Sequence, residues 1–202
     1  MELVRNLASR EPAEVRREKL IEATIDVLAL RGYSSLTVGD VAKLTCVSHG
    51  SVFVYFPTKE DLLRATLTSL EFRYSAKMAT ELAKAQNDAR KIILAIIETD
   101  LSPDLATPRL VRAWASFRSE ARDMYESIAL VNDDRNFEVM CQAFTVLSKS
   151  GAEIRAQLLR ATLDGLLRQL LLGRTDLKGA RQLAFASLSV ILPEHFGPDV
   201  GT

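Results

Sequence analysis

Within seven residues the chain places His49, Ser51 and Tyr55, and Lys59 follows four positions later. An imidazole and a hydroxyl can hydrogen-bond base edges or phosphates, and a phenol or an ammonium can hold a phosphate. Val52 and Phe53 lie among them and offer apolar contact to a thymine methyl. This chemistry is docking rather than catalysis. It requires a short helix held firmly enough to enter a groove.

The flanking residues supply that helix and its supports. Thr37 stands three residues before Asp40, the spacing of a capping box. Val38, Val41, Ala42 and Leu44 then give a first short helix its apolar side. Thr45-Cys46-Val47 reads as a turn, and Ser48 as the N-cap of a second short helix running through Val52 to Phe56. Pro57-Thr58 breaks the chain, and Thr58 with Asp61 repeats the capping pattern. A helix of two turns is unstable alone in water. Capped and set between neighbours, it fits a helix-turn-helix whose second helix enters the major groove. Thr37 and Lys59 open their helices, where free N–H groups favour a phosphate. The expected DNA-facing set is therefore Thr37, Val38, Ser48, His49, Ser51, Val52, Phe53, Tyr55 and Lys59.

The same run resembles the DNA-binding end of TetR-family transcriptional repressors. The resemblance is carried by Thr37, Val41, Ala42, Val47, Ser48, Gly50, Val52, Tyr55, Phe56, Lys59, Glu60 and Leu62, in order and at fixed spacing. It implies an all-α homodimer with an N-terminal three-helix DNA-binding domain and a C-terminal helical body for effector binding and dimerisation. The chain departs from the family at Cys46, where glycine is usual, and at Phe53, where tyrosine is usual. Glycine at position 46 would relieve a positive φ, so either the turn differs here or strain is accepted. Phe53 cannot make a tyrosine's phosphate contact.

A narrower resemblance covers RAWASFRSEARDMYESIALVNDDRNF and TLDGLL, which are similar to choline-responsive repressors of betaine synthesis. Ala113-Trp114, Phe117, Tyr125, Asp164, Gly165 and Leu166 carry it. Leu167 replaces a tryptophan of that branch, and an aromatic cage is what a choline cation needs. Choline is therefore not assigned from sequence.

Composition is globular: 202 residues, 48% hydrophobic and 26% charged, enough apolar material for a sizeable core. Lys and Arg number 26, as do Asp and Glu, and residues 1–74 hold ten of each. DNA affinity would then rest on local placement of cations rather than on bulk charge. No apolar run reaches the roughly 20 residues of a membrane span, and the first residues lack an apolar signal core. A cytoplasmic protein is expected. Cys46 and Cys141 are far apart and without CxxC spacing, so reduced thiols are expected, with no disulfide or metal site.

The remaining periodicity is helical throughout. Helices are expected over 14–31, 59–84, 88–101, 108–122, 123–148, 152–173 and 176–193, making about nine with the two short ones. The polar patch Asn132–Asn136 is expected to interrupt the seventh, and the tail after Pro193 to be loose. Domains are expected at 1–57, for DNA, and 58–202, for effector binding and dimerisation. Trp114, Phe117, Tyr125, Phe137, Met140 and Phe144 are expected to wall an apolar effector pocket. Asp164, a carboxylate on an apolar helix, could pair with an arginine across a dimer, bind a cationic ligand, or face water. The last two helices are apolar beyond one stripe, which suggests a four-helix dimer interface through Leu163, Leu167, Leu170, Ala184, Ser187, Leu188 and Ile191.

No Gly-rich phosphate loop or HExxH occurs, and the two histidines, His49 and His195, lie far apart. No catalytic residue, metal or cofactor is expected. The expected function is a repressor released from a palindromic operator on double-stranded DNA by a small-molecule effector. The alternatives are a DNA-binding regulator without such control, and a helical binding protein or enzyme that retains the fold.

Overall fold

The computed structural model describes residues 12–148 and 150–197, and all regular structure among them is helical. The elements are α1 (Ala13–Arg31), α2 (Val38–Leu44), α3 (His49–Tyr55), α4 (Lys59–Ala85), α5 (Ala89–Asp100) and α6 (Pro108–Glu120). There follow α7 (Arg122–Tyr125), a π-helical segment (Glu126–Leu130), α8 (Val131–Leu147), α9 (Ala152–Leu171), α10 (Leu177–Ile191) and α11 (Pro193–Phe196).

Side chains fix most of the starts. Thr37 and Thr58 form full capping boxes with Asp40 and Asp61, and Ser48, Asp88, Thr107 and Asp176 each accept a first-turn N–H. Each such cap contributes about 1 kcal/mol. The stops at Gly32 and Gly173 use positive φ.

Two hydrophobic cores share the molecule. One gathers α1, α2, α3 and the first half of α4, and continues without a break into α6 and α7 through Leu110, Ala113, Phe117 and Met124. The other gathers the far end of α4 with α5, α8, α9 and α10. The long helix α4 belongs to both and joins the two.

The expected seventh helix is broken differently from its predicted form. It becomes α7, one π turn and α8, and the polar patch lies within α8 rather than interrupting it. Asn132 reaches across to donate to Glu71 on α4 at 2.8 Å, and Asp133 accepts from the Tyr125 hydroxyl. Those partners keep the patch helical. The end of the chain, expected to be loose, forms the short α11 over 193–196, while 198–202 lie outside the described residues.

Candidate DNA-binding face and effector cavity

The recognition element is short, and its neighbours hold it. Val52 and Phe56 are buried with Val41, Ala42 and Leu62 in the first core. Ser48 accepts from the Ser51 N–H at 3.1 Å, and the two hydroxyls lie 2.7 Å apart. The opposite side of α3 is open: Ser48, His49, Phe53 and Val54 are exposed and Ser51 and Tyr55 half-buried. His49 and Phe53 pack edge to face with ring centroids 5.0 Å apart, so Phe53 braces the imidazole where a tyrosine would offer a hydroxyl. Arg17 lies over the Phe56 ring and Lys59 over the Tyr33 ring.

Two members of the expected DNA-facing set are corrected. Val52 is 1% exposed and Val38 is 7% exposed. Both are anchors of the core, and neither has side-chain surface left for a base. Thr37 is exposed, but its hydroxyl donates to Asp40 at 2.7 Å. Cys46 adopts φ 55°, so the turn keeps its left-handed residue and accepts the strain of a side chain there.

The C-terminal body contains a cavity of about 670 Å³, within the range of small-molecule sites. Helix α4 contributes Glu71 and Tyr74, α5 Ile96 and Asp100, α6 Trp114 and Arg118, and α9 Leu163 and Asp164. Tyr125, Asp133, Met140 and Arg160 close it. Trp114 and Tyr125 meet edge to face at 6.2 Å.

Its electrostatics are uneven. Arg118 is engaged, donating to the Tyr125 hydroxyl at 3.1 Å and to Asp164 at 3.3 Å. Asp164 thus pairs within its own protomer, a partner the sequence did not single out. Arg160 donates to the Asp133 carbonyl at 2.7 Å and covers the Phe137 ring. Asp100 is different. Its one hydrogen bond is from the Tyr74 hydroxyl at 2.7 Å, and it has no ion pair among the described residues. Burial raises its carboxyl to about 6, the Asp164 and Asp133 charges adding and the Tyr74 hydrogen bond and the more distant Arg118 charge opposing. Burial likewise raises Glu71 to about 7, against the opposing hydrogen bond from Asn132.

Of the expected pocket walls, Trp114, Tyr125, Met140 and Asp164 line the cavity. Phe117 and Phe144 are fully buried, one in each core, and Phe137 sits beneath Arg160. Glu71, Tyr74, Asp100 and Arg118 were missed. A signal for Asp100 existed: it continues the stripe Ile93, Ile96, Ile97 at helical spacing, where a carboxylate has no ordinary place.

The expected dimer residues are also redistributed. Leu163, Ala184, Leu188 and Ile191 are buried within the protomer, and Leu163 and Leu167 line the cavity. Leu170 and Ser187 are half-buried. The apolar surface left open on α9 and α10 consists of Ile154, Leu158, Leu183, Phe185 and Val190.

Three packed helices, the second and third capped by side chains and the third presenting His49, Ser51 and Phe53 on an open face, are joined by α4 to a cavity-bearing helical body and define a helix-turn-helix DNA-binding regulator. The family model for bacterial regulatory proteins of the tetR family matches residues 20–66. The HTH-type transcriptional regulator BetI of Stenotrophomonas maltophilia is 31% identical over 85% of this chain and 90% of its own length. BetI 2 of Chromohalobacter salexigens is 31% identical over 91% of each. The chain belongs to the TetR family of transcriptional regulators. Its fold matches a TetR-like regulator from Rhodococcus with TM-score 0.78 at 18% identity, covering 93% of this chain and all of that one. It also matches a putative transcriptional regulator from Saccharomonospora viridis in complex with choline, with TM-score 0.69 at 21% identity, over 87% of this chain and 96% of that one.

Proposed function

We propose that the protein is a dimeric repressor that leaves a palindromic operator when a small organic cation fills the cavity. The observation that carries the effector class is Asp100. A buried carboxylate lining the cavity, beside Tyr74 and with no cation in ion-pair contact among the described residues, is costly unless a ligand supplies the charge. Trp114 and Tyr125 add aromatic faces suited to a cation. The choline held by the Saccharomonospora protein belongs to the same ligand class.

In this reading residues 1–57 make the DNA contacts and 58–202 hold the effector and the partner subunit. His49 and Ser51 read base edges, Phe53 offers apolar contact, and Ser48, Tyr55 and Lys59 hold phosphates, while Thr37, with its hydroxyl and N–H both given to Asp40, serves as the cap of α2. Two subunits then bind half-sites about one helical turn apart. They join through the open apolar residues of α9 and α10 rather than through the buried ones. The effector acts by favouring a state in which the two recognition helices no longer match that spacing, which requires only differential affinity between states. Such a regulator works in the cytoplasm, where its DNA is.

Selection of bound duplexes from a random pool, at near-physiological salt, tests the DNA half of this reading. Recovery of one palindromic motif with a fixed half-site spacing supports it. A folded dimer that enriches no motif, even after ligand-free refolding, overturns it.

A further inference from the structure

Helix α6 is fastened to the DNA-binding helices at both ends. At its start Arg109 donates to Asp26, and at 2.8 Å to both the side chain and the backbone carbonyl of Glu22, all on α1. At its finish the Glu120 carboxylate accepts from the N–H of Ser34 at 3.0 Å and from that of Tyr33 at 3.4 Å. Those amides belong to the turn joining α1 to α2. Gly32 makes room for the contact: at φ +78°, a Cβ there would stand 3.1 Å from a Glu120 oxygen. Hydrogen bonds from Ser34 hold the Glu120 carboxyl below its ordinary range. Between its two ends the same helix gives the cavity Val111, Trp114, Ala115 and Arg118.

Glu120 is itself exposed. Water could satisfy the two amides in its place, so the residue is not needed to bury anything. What it adds is a fixed distance between the end of α6 and the turn that leads into α2 and α3. Two turns back along the helix, Trp114 faces the cavity.

We infer that Glu120 is a positioning residue that transmits the state of the cavity to the recognition helix by tying the end of α6 to the α1–α2 turn. An occupant that shifts α6 carries the turn, and with it α2 and α3. This rests on the reading above and deepens it. Arg109 holds the other end of α6 against α1, so α6 cannot move without moving its attachments. Loss of Glu120 removes the polar tie at this end and leaves the Tyr33–Phe117 ring contact, 5.8 Å between centroids, as the looser link between α6 and the turn.

The test uses the reciprocity of coupled sites: if the cavity acts on DNA binding, DNA binding acts equally on the cavity. Trp114 is the only tryptophan, and its emission reports the cavity directly. The full chain is titrated with the selected duplex, with binding followed by anisotropy of a labelled duplex and the cavity by Trp114 emission. Wild type should show an emission change that saturates with binding. E120A should bind the duplex within about tenfold of wild type and lose at least half of that change. E120Q, which keeps an accepting oxygen, should fall between the two and guards against a folding defect in E120A. Choline should weaken the wild-type complex by a factor in the usual range for coupled sites, about 5- to 150-fold, and that factor should shrink in E120A. An emission change in E120A equal to wild type, or none in wild type at saturation, would overturn the role of Glu120. Failure of wild type to bind any duplex would instead sink the DNA-binding reading beneath it.

Discussion

Replacing Asp100 with asparagine should have two effects of opposite sign. In the folded protein burial raises this carboxyl from 3.8 to about 6. Two units at about 1.36 kcal/mol each give a destabilisation of roughly 3 kcal/mol when the group is charged. The unfolded chain loses its proton near pH 4 and the folded one near pH 6. Between those values the unfolded state binds fewer protons, so stability falls as pH rises, and the full cost is present above pH 6. Asparagine avoids the charge yet keeps an oxygen for the Tyr74 hydroxyl. Ligand-free D100N should thus be more stable than wild type by roughly 3 kcal/mol at pH 8, with the gain vanishing towards pH 4. A cation about 5 Å from the carboxylate, at an effective dielectric near 20, gains about 3 kcal/mol, so D100N should bind it roughly 100-fold more weakly. Urea unfolding at fixed protomer concentration measures the first effect, and calorimetry with choline the second. A D100N protein that is less stable at pH 8, or one that binds choline as tightly as wild type does, would refute the reasoning.

Further substitutions probe the other parts. K59A should weaken operator binding uniformly across sequences and reduce the salt slope by about one, read from affinities at several salt concentrations. T58A removes the capping box at the start of α4 and should lower stability by about 1 kcal/mol in urea unfolding. L183D combined with V190D, on the exposed face of α10, should yield a folded monomer by sedimentation, whereas substitution of the exposed Leu30 should leave the dimer intact. E120A should separate DNA binding from the Trp114 emission response.

Much of this was legible in the sequence because local rules dominate in a helical protein. Caps fall where Thr37, Ser48, Thr58 and Thr107 stand, and each closes its helix within three residues of sequence. The open side of α3 was legible through His49 and Ser51 and through the position of Phe53 in the motif, not through periodicity, since the apolar Phe53 and Val54 lie on that open side too. Val38 and Val52 were misplaced because periodicity tells that a face is apolar and not what covers it. The same ambiguity misassigned Leu163, Ala184 and Leu188: on helices apolar on two sides, the stripe facing the protomer core and the stripe left open look alike. The cavity was least legible. Asp100, Glu71 and Arg118 come from three separate helices, and only their packing makes a site of them. The π turn at 126–130 left no mark in the helical periodicity of 123–148.

The central claim is that occupancy of the cavity controls the DNA-binding helices. The most direct measurement is the affinity of the dimer for its selected duplex as choline is raised to saturation, with cavity occupancy followed in parallel by Trp114 emission. The account predicts that operator affinity falls at least several-fold in step with occupancy, and that D100N requires far more choline for the same fall. Full occupancy with unchanged operator affinity would contradict it.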